Sequence, residues 1–507
     1  KAGIGLSIGS IRAENQPVRN GDAVTTGVLP FAKYFNGALK SCSQGAVRGA
    51  SATFNYPVWH LEFERLIELK NNKGTEETRL RTVDYCVHIN KLFYERLVKK
   101  ENITFFSPEE VPDLYQAFYS SDYKNFEKLY KKYEKDPSKT KKTLPAVDIF
   151  TKILQERYET GRIYILHADH VNQHSPFYEP IKMTNLCCEI LLPTTPVTYP
   201  GDTQYNHEES LIALCTLSAI NWGKFTPYID LDPESSAAHR QDAKLRDACD
   251  MAVRGLDALL DYQEYPIEAA RRHSMKYRPL GIGIIGFAHW LAKGRLYWGE
   301  TNTLVEVETM MERMAYYLTE ASIELAKEFG GLETRTKYHD GNFPIDRSIL
   351  PAKTKLDWNI LRIRAKQYGI RNATLMALMP SETSSQLANE TNGIEPPRDI
   401  LSIKGSKEGV LPQIVPEYQK YAAYYETLWQ VDSKKYLMTT AIFQKYIDQA
   451  ASINTSYDPS KGEIKMSRLI EDLLLSYKLG HNTLYYSNTR DGSGDDVDDC
   501  ESGACKI

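Results

Sequence analysis

Short apolar runs alternate along the chain with longer segments whose apolar residues recur at helical spacing. The strand-like runs occupy 162–166, 186–192, 280–285, 373–379 and 401–403. Helical spacing is found at 57–72, 108–133, 143–159, 240–262, 304–329, 433–451 and 467–480. Ser467 is predicted to cap the last of these helices and Gly480 to end it. Because parallel strands need long, usually helical crossover connections, the alternation predicts an α/β core with largely parallel strands.

Size and charge exclude several classes of protein. The 507 residues are 42% apolar and 25% charged, which suits a soluble globular protein. With 62 Lys and Arg against 66 Asp and Glu, the charge balance gives no electrostatic argument for a nucleic-acid partner. The lysine-rich segment 122–142 is best explained as a solvated amphipathic helix followed by a loop. No apolar run reaches the roughly 18–20 residues of a membrane span, so no membrane partner is expected.

The cysteines and the last residues indicate a redox function. Eight cysteines in a chain of this length are too few for a disulfide scaffold, and the start lacks signal-peptide features, so we expect a cytoplasmic protein. Residues 487–507 are acidic and nearly devoid of apolar side chains, which predicts a flexible tail. Cys500 and Cys505 lie near its end, and we favour an accessible dithiol over a metal site, since zinc needs four ligands.

The segment 184–190 places three chemically useful side chains close together. On an extended strand, Asn185, Cys187 and Glu189 would share one face, while Cys188 would point to the other and serve packing. Spacing alone slightly favours the alternative of an ordinary strand with polar residues facing water and a buried cysteine. Cys215, in an apolar stretch, taken by itself is more typical of a buried structural cysteine.

Two further motifs could bind phosphate. Residues 380–385, Pro-Ser-Glu-Thr-Ser-Ser, follow an apolar run and would place backbone N–H groups and hydroxyls at a helix start, where anions bind. A plain helix cap explains the same residues equally well. Gly281, Gly283 and Gly286 match the dinucleotide fingerprint, but Pro279 and polar residues precede them where a strand should run, so tight strand-to-helix packing is favoured.

Taken together, the motifs resemble one family, the large catalytic subunit of aerobic class Ia ribonucleoside-diphosphate reductase. The matching segments lie in the family's order at 185–189, 212–219, 379–385, 392–398, 485–486 and 500–507. The resemblance extends from Lys1 to Ile507. It implies a ten-stranded α/β barrel over 1–486, with a central loop that carries a radical cysteine, followed by the flexible tail.

The resemblance assigns a step to each residue of the group. Cys187 would become a thiyl radical and take the 3′ hydrogen of the ribose, and Glu189 would accept the 3′-hydroxyl proton. Asn185 would hold the ribose hydroxyls. Cys215 would be one of two thiols that supply electrons as the 2′-hydroxyl leaves as water. The diphosphate would be held by Pro380, Ser381, Glu382, Thr383, Ser384 and Ser385.

The same resemblance implies partners for this chain. Tyr485 and Tyr486 would relay a radical that starts on a separate small subunit with a di-iron centre and a tyrosyl radical, so this chain itself would bind no metal or cofactor. Cys500 and Cys505 would re-reduce the active-site disulfide and be reduced in turn by thioredoxin or glutaredoxin. The large subunit is expected to form a homo-oligomer.

Regulation by nucleotides is also implied. Residues 43–49 resemble the loop that couples a deoxynucleoside triphosphate or ATP effector to substrate choice, through Ser43, Gln44 and Arg48. Arg12 and Arg19 are expected on the effector side of this loop, and ordinary solvated arginines are the alternative.

One departure concerns the start of the chain. The family has a long region before the point that matches Lys1, with an ATP-binding cone, early barrel strands and the cysteine that pairs with Cys215. We therefore expect this chain to be the C-terminal part of a divided large subunit, completed by a separate N-terminal polypeptide. The alternatives are a truncated, non-catalytic paralogue with a regulatory role and a thiol-redox protein that uses only its tail pair.

Overall fold

The computed structural model describes residues 3–43, 49–199, 207–406 and 409–490. The strands are β1 (Gly3–Ser7), β2 (Pro17–Val18), β3 (Ala23–Val24), β4 (Ser51–Pro57), β5 (Asp84–Ile89), β6 (Asn102–Phe106), β7 (Lys141–Pro145), β8 (Ile163–His167), β9 (Leu217–Asn221), β10 (Gly281–Ile285), β11 (Leu401–Ser406), β12 (Gly409–Ile414), β13 (Thr455–Tyr457), β14 (Thr483–Leu484) and β15 (Ser487–Thr489).

The helices are α1 (Val28–Ser41), α2 (Phe63–Ile67), α3 (Lys91–Lys99), α4 (Pro112–Phe118), α5 (Tyr123–Lys135), α6 (Ala146–Thr160), α7 (Ala168–His174), α8 (Ser236–Tyr262), α9 (Glu268–Tyr277), α10 (Phe287–Lys293), α11 (Thr301–Phe329), α12 (Pro344–Arg347), α13 (Trp358–Tyr368), α14 (Glu382–Leu387), α15 (Tyr418–Tyr421), α16 (Ser433–Gln444) and α17 (Met466–Lys478). No helix in these ranges is long and apolar enough to cross a membrane.

The main sheet has five strands in the order β1-β4-β5-β8-β14. The first four are parallel, and β14 pairs antiparallel with β8. Helix α1 lies in the connection from β1 to β4, α2 in that from β4 to β5, and α3 to α6 in that from β5 to β8, as parallel strands require long crossover connections. The three central strands β4, β5 and β8 are buried along their whole length, which is typical of a parallel sheet covered on both faces.

A second parallel pair, β9 and β10, is extended by parallel bridges from Ile282 to Met376 and from Leu378 to Ala451. The predicted α/β core with largely parallel strands is therefore confirmed. Among the described residues the pairings give one five-stranded sheet and five two-stranded sheets, and a closed ten-stranded barrel stays a prediction. Gly286 has φ +76° at the start of α10, and a Cβ there would approach the Gly223 nitrogen to 2.8 Å, so the glycines at 281–286 serve close packing.

Several predicted elements differ from the structure. The predicted strand at 186–192 is wrong, because the chain turns at 186–188 and Cys188 has φ +67°. The run 373–379 makes only isolated bridges. The helix predicted at 108–133 is two helices, α4 and α5, and Asp122 caps the second by accepting a hydrogen bond from the Asn125 amide. Ser467 does not cap α17, which begins one residue earlier.

The bounds of three elements also shift. Only α2 forms within the predicted helix 57–72, since β4 continues to Pro57, and α16 ends at Gln444 rather than 451. At the C-terminal end, β15 pairs with β13, so regular backbone pairing continues to Thr489, beyond the predicted start of the tail.

Candidate active site

The turn at 186–188 is fixed by hydroxyl groups from three distant parts of the chain. Each donates a hydrogen bond to one of three successive carbonyls: Thr53 to Leu186 at 2.8 Å, Ser452 to Cys187 at 2.6 Å and Thr483 to Cys188 at 2.9 Å. The donors lie on β4, just beyond the bridging residue Ala451, and on β14. Because each buried carbonyl finds a partner outside the turn, the backbone that carries Cys187 is held at three points.

Cys187 and Cys188 face different surroundings. Cys187 is buried, with 8% of its surface exposed, and Cys188 is fully buried. The Cys188 thiol hydrogen-bonds Cys86 on β5, and burial raises the pKa of Cys188 well above its ordinary value. The left-handed turn, rather than strand alternation, therefore directs Cys188 into the packed interior.

Asn185 connects the two other polar groups of the site. Its Oδ1 accepts a hydrogen bond from the Ile190 amide at 3.0 Å, and its Nδ2 lies 3.9 Å from the Cys215 sulfur. The Asn185 side chain also hydrogen-bonds Glu189. Glu189 and Cys215 therefore both lie beside the Asn185 side chain, although Cys215 is 30 residues away along the sequence.

The carboxylate of Glu189 is almost fully enclosed. Only 2% of the residue is exposed, and Ser452 Oγ lies 3.4 Å from Oε2. Burial raises the pKa of Glu189 above its ordinary value, and hydrogen bonds from Asn185 and Ser452 oppose that rise. A carboxylate with a raised pKa is a stronger base than an ordinary glutamate.

Cys215 is solvent-exposed yet surrounded by protein. Desolvation, followed by the charge of Glu189, raises the pKa of its thiol to about 12, so the thiol keeps its proton at neutral pH. The interpretation of Cys215 as a buried structural cysteine is wrong. Cys215 is a solvent-exposed thiol. None of the cysteines at 42, 86, 187, 188, 215 and 249 forms a disulfide.

The segment 380–385 is joined to the turn through backbone hydrogen bonds. The Ala450 amide donates to the Glu189 carbonyl at 3.0 Å, and the Leu378 amide donates to the Ala450 carbonyl at 3.0 Å. Pro380 then leads into α14. Ser381 makes no side-chain capping bond, which does not favour the plain-cap explanation, and its amide donates to Asn392 Oδ1 at 2.8 Å.

The remaining members of this segment form local hydrogen bonds. Ser384 Oγ donates to the Ser381 carbonyl at 3.4 Å, and Ser385 Oγ donates to the Glu382 carbonyl at 3.1 Å. Asn392 Nδ2 lies 3.4 Å from Glu382 Oε1. Thr383 lies in the first turn of α14. Residues 381–392 thus form a loop whose two ends are hydrogen-bonded together, with α14 inside it.

Tyr485 and Tyr486 stack on each other directly after β14. Their ring centroids are 3.8 Å apart at an interplanar angle of 27°, and the Tyr485 hydroxyl donates to the Tyr486 hydroxyl at 2.6 Å. Thr483, which anchors the Cys188 carbonyl, lies on the same strand two residues earlier. The stacked pair is therefore connected, through Thr483 on β14, to the turn that carries Cys187.

Arginines and a third tyrosine surround the pair. The Arg162 guanidinium lies 4.1 Å from the Tyr486 ring centroid, and the Tyr164 ring lies 4.7 Å from that of Tyr485. Buried Arg157 donates to the Tyr485 carbonyl at 2.6 Å and to the Tyr486 carbonyl at 3.0 Å. These contacts restrain both the backbone and the rings of the stacked pair.

The predicted effector residues are only partly described. Arg12 pairs with Glu109, Arg19 is exposed with φ +51°, and Ser43 Oγ accepts from the Ala50 amide at 3.1 Å. Gln44 and Arg48 lie outside the described residues, as do Cys500 and Cys505. Within the described ranges, no group of three or more His, Cys, Asp or Glu side chains is arranged to hold a metal.

Comparison with known proteins gives a consistent result. Residues 1–487 match the family described as ribonucleotide reductase, barrel domain. Over the whole chain, 50% of aligned residues are identical to ribonucleoside-diphosphate reductase 1 subunit alpha of Escherichia coli, and 49% to the subunit alpha of Buchnera aphidicola from Acyrthosiphon pisum. The subunit alpha of Enterobacteria phage T4 is 42% identical. The chain spans 67% of the length of each of these relatives. This chain belongs to the ribonucleotide reductase family, through its barrel domain.

Proposed function

We propose that this chain carries the site at which ribonucleoside diphosphates are reduced to deoxyribonucleoside diphosphates by a thiyl radical on Cys187. The observation that carries the proposal is the meeting of Asn185, Glu189 and Cys215 beside the anchored turn. The names of the relatives agree with this activity. A non-catalytic paralogue would have no need to keep a buried carboxylate beside the Cys215 thiol.

The radical is formed in two hydrogen-atom transfers. The Tyr486 radical takes the hydrogen of the Tyr485 hydroxyl along their hydrogen bond of 2.6 Å, and the Tyr485 radical then takes the hydrogen of the Cys187 thiol. Each step restores the O–H bond of the earlier tyrosine, so no charge is left in the interior. Cys187 as a thiyl radical next takes the 3′ hydrogen of the ribose.

Glu189 and Asn185 act on the substrate radical. Glu189 accepts the proton of the 3′-hydroxyl, which its raised pKa favours. Asn185 orients the ribose hydroxyls. Cys215 and a second thiol then supply two electrons and two protons, the 2′-hydroxyl leaves as water, and the two sulfurs form a disulfide. Glu189 returns its proton to the 3′ oxygen, and Cys187 finally returns the hydrogen to C3′.

The second thiol is inferred from the resemblance, which places it N-terminal to the position of Lys1. The diphosphate is proposed to lie at 380–385, where the N–H groups at the start of α14 lack intrahelical partners. The small subunit supplies the radical, thioredoxin or glutaredoxin supplies the electrons, and nucleoside triphosphates act at the effector loop 43–49.

Replacing Glu189 by glutamine tests its role as base. We expect kcat/KM to fall by about 10²–10⁴-fold, because general base catalysis contributes that much. In the wild type, kcat/KM should decline as the pH falls through the raised pKa of Glu189, with a midpoint above the ordinary glutamate value of 4.5, because the protonated carboxyl cannot accept a proton. The pH profile of deoxynucleotide formation measures both effects. An acid limb that persists unchanged in Glu189→Gln would assign it to another group.

Replacing Cys500 and Cys505 together by serine tests the redox tail. Multiple turnover driven by thioredoxin should stop, whereas dithiothreitol should restore it, because a small dithiol can reach the exposed Cys215 directly. Ser502→Ala, between the two cysteines, is the matched control and should turn over normally with either reductant. Unchanged thioredoxin-dependent rates in the double variant would show that the tail carries no electrons.

A further inference from the structure

The loop 381–392 ends at a carboxylate that is completely buried. Glu390 has no exposed surface, and its amide donates to the Ser385 carbonyl at 2.8 Å, which closes the end of α14. Burying an ionised carboxylate away from water costs free energy unless a cation or a hydrogen-bond donor compensates its charge. The identity of that compensating group therefore decides how this end of the loop is held.

His289 on α10 is the main partner of Glu390. Its Nδ1 lies 2.8 Å from Glu390 Oε2, and the histidine is itself buried. Lys224 Nζ lies farther away, at 3.7 Å from Oε1, and its side chain is 61% exposed, so water screens its contribution. The interaction of His289 with Glu390 is therefore the stronger restraint.

Main-chain contacts reinforce the same junction. The Gly286 amide donates to the Thr391 carbonyl at 2.9 Å, and the His289 amide lies 3.4 Å from Thr391 Oγ1. The start of α10 thus meets the end of the loop through both backbone and side chain. A shift of His289 would change the position of the whole closed loop, because its two ends are bonded together through Ser381 and Asn392.

A second carboxylate faces the other nitrogen of the ring. His289 Nε2 is buried without a hydrogen-bond partner, and Glu417 Oε1 lies 3.4 Å away, at ion-pair distance. Glu417 follows β12 and has φ +46°. His289 therefore has a carboxylate facing each of its two ring nitrogens.

We propose that His289, which lies between Glu390 and Glu417, is a positioning residue that fastens the loop 381–392 and the segment after β12 to α10. Its function is to hold the N-terminus of α14 where the diphosphate binds, and so to set substrate affinity. The substrate's identity rests on the function proposed above, but the fastening itself does not.

The test uses the full chain and two readouts. Glu390→Gln keeps the shape of the side chain but replaces the carboxylate that faces His289 Nδ1 with a neutral amide. We expect amides of 381–392 to exchange with deuterium about tenfold faster and the KM for cytidine diphosphate to rise about tenfold, since hydrogen bonds to charged groups contribute most. kcat should stay within about twofold, because Cys187 and its anchors are untouched. A residue with a purely structural role would change both KM and kcat or neither of them.

Two further variants keep the test decisive. His289→Leu with Glu390→Leu removes both members of the buried pair, so it leaves no lone buried carboxylate and should fold, with the same rise in exchange and KM. Glu417→Gln, at a half-exposed side chain, should speed exchange after β12 far more than in 381–392. Wild-type exchange in the loop of Glu390→Gln and of the double variant would overturn the proposal. Deuterium exchange is measured without turnover. If the wild-type chain reduced no nucleotide, the proposed function would be rejected, but the exchange results would still test how the loop is fastened.

Discussion

Replacing Cys187 by serine is expected to abolish deoxynucleotide formation while nucleotide binding persists. A hydroxyl O–H bond is much stronger than a thiol S–H bond, so serine cannot form the radical at a useful rate. Because each ~1.36 kcal/mol added to the barrier slows the reaction tenfold, we expect a loss of more than about 10³-fold. Chromatographic measurement of deoxynucleotide formation in the assembled enzyme, with cytidine diphosphate binding measured in parallel, checks both parts.

The turn itself should survive this change. Its three hydrogen bonds, including the one from Ser452, involve backbone carbonyls and do not use the Cys187 side chain. Cys188→Ala is the matched control, since it removes the neighbouring thiol, which packs against Cys86, and should retain turnover. Substantial turnover by Cys187→Ser would exclude Cys187 as the radical carrier.

The second large effect is expected at the stacked tyrosines. Tyr485→Phe or Tyr486→Phe should each reduce turnover by more than about 10³-fold, because phenylalanine has no phenolic hydrogen to transfer. Either substitution keeps the two stacked rings, whose centroids lie 3.8 Å apart, but removes one of the two hydroxyls that are hydrogen-bonded at 2.6 Å. Turnover in the presence of the small subunit, with circular dichroism as a check on folding, is the measurement.

Tyr158→Phe provides the control for the loss of a phenol near this region. Its ring contacts Tyr457 at 6.0 Å and is not part of the stacked pair, so its turnover should be normal. If both Tyr485→Phe and Tyr486→Phe were to turn over at wild-type rates, the pair would have only a packing role.

Local sequence signals predicted the α/β core, but they assigned a strand to the residues that form the turn carrying Cys187. Leu186 to Leu192 has the composition of a strand, yet the chain turns there. Hydrogen bonds from Thr53, Ser452 and Thr483 to its carbonyls replace the ladder that a strand would need. These donors lie more than 100 residues away along the chain, so no local periodicity reveals them.

The sequence predicted that Asn185 and Glu189 lie close together, but on the assumption of an extended strand that the chain does not form. Strand alternation gave the convergence, whereas the structure achieves it with a turn and a left-handed residue at Cys188. The proximity of Cys215 required tertiary structure, since nothing in its own apolar stretch indicates an accessible thiol. Arg157 was not predicted, because a single arginine in an amphipathic helix looks like a surface residue. The catalytic roles of these residues stay predictions.

The most direct test of thiyl-radical chemistry at Cys187 is the fate of the C3′ hydrogen. In the enzyme assembled with its small subunit, kcat/KM for cytidine diphosphate carrying deuterium at C3′ is compared with that for the unlabelled substrate. The account predicts a primary isotope effect, with kcat/KM lower for the deuterated substrate, and retention of the deuterium at C3′ of the product. Loss of the deuterium to solvent during turnover would contradict the account. Cleavage of the C3′–H bond by the Cys187→Ser variant would contradict it as well.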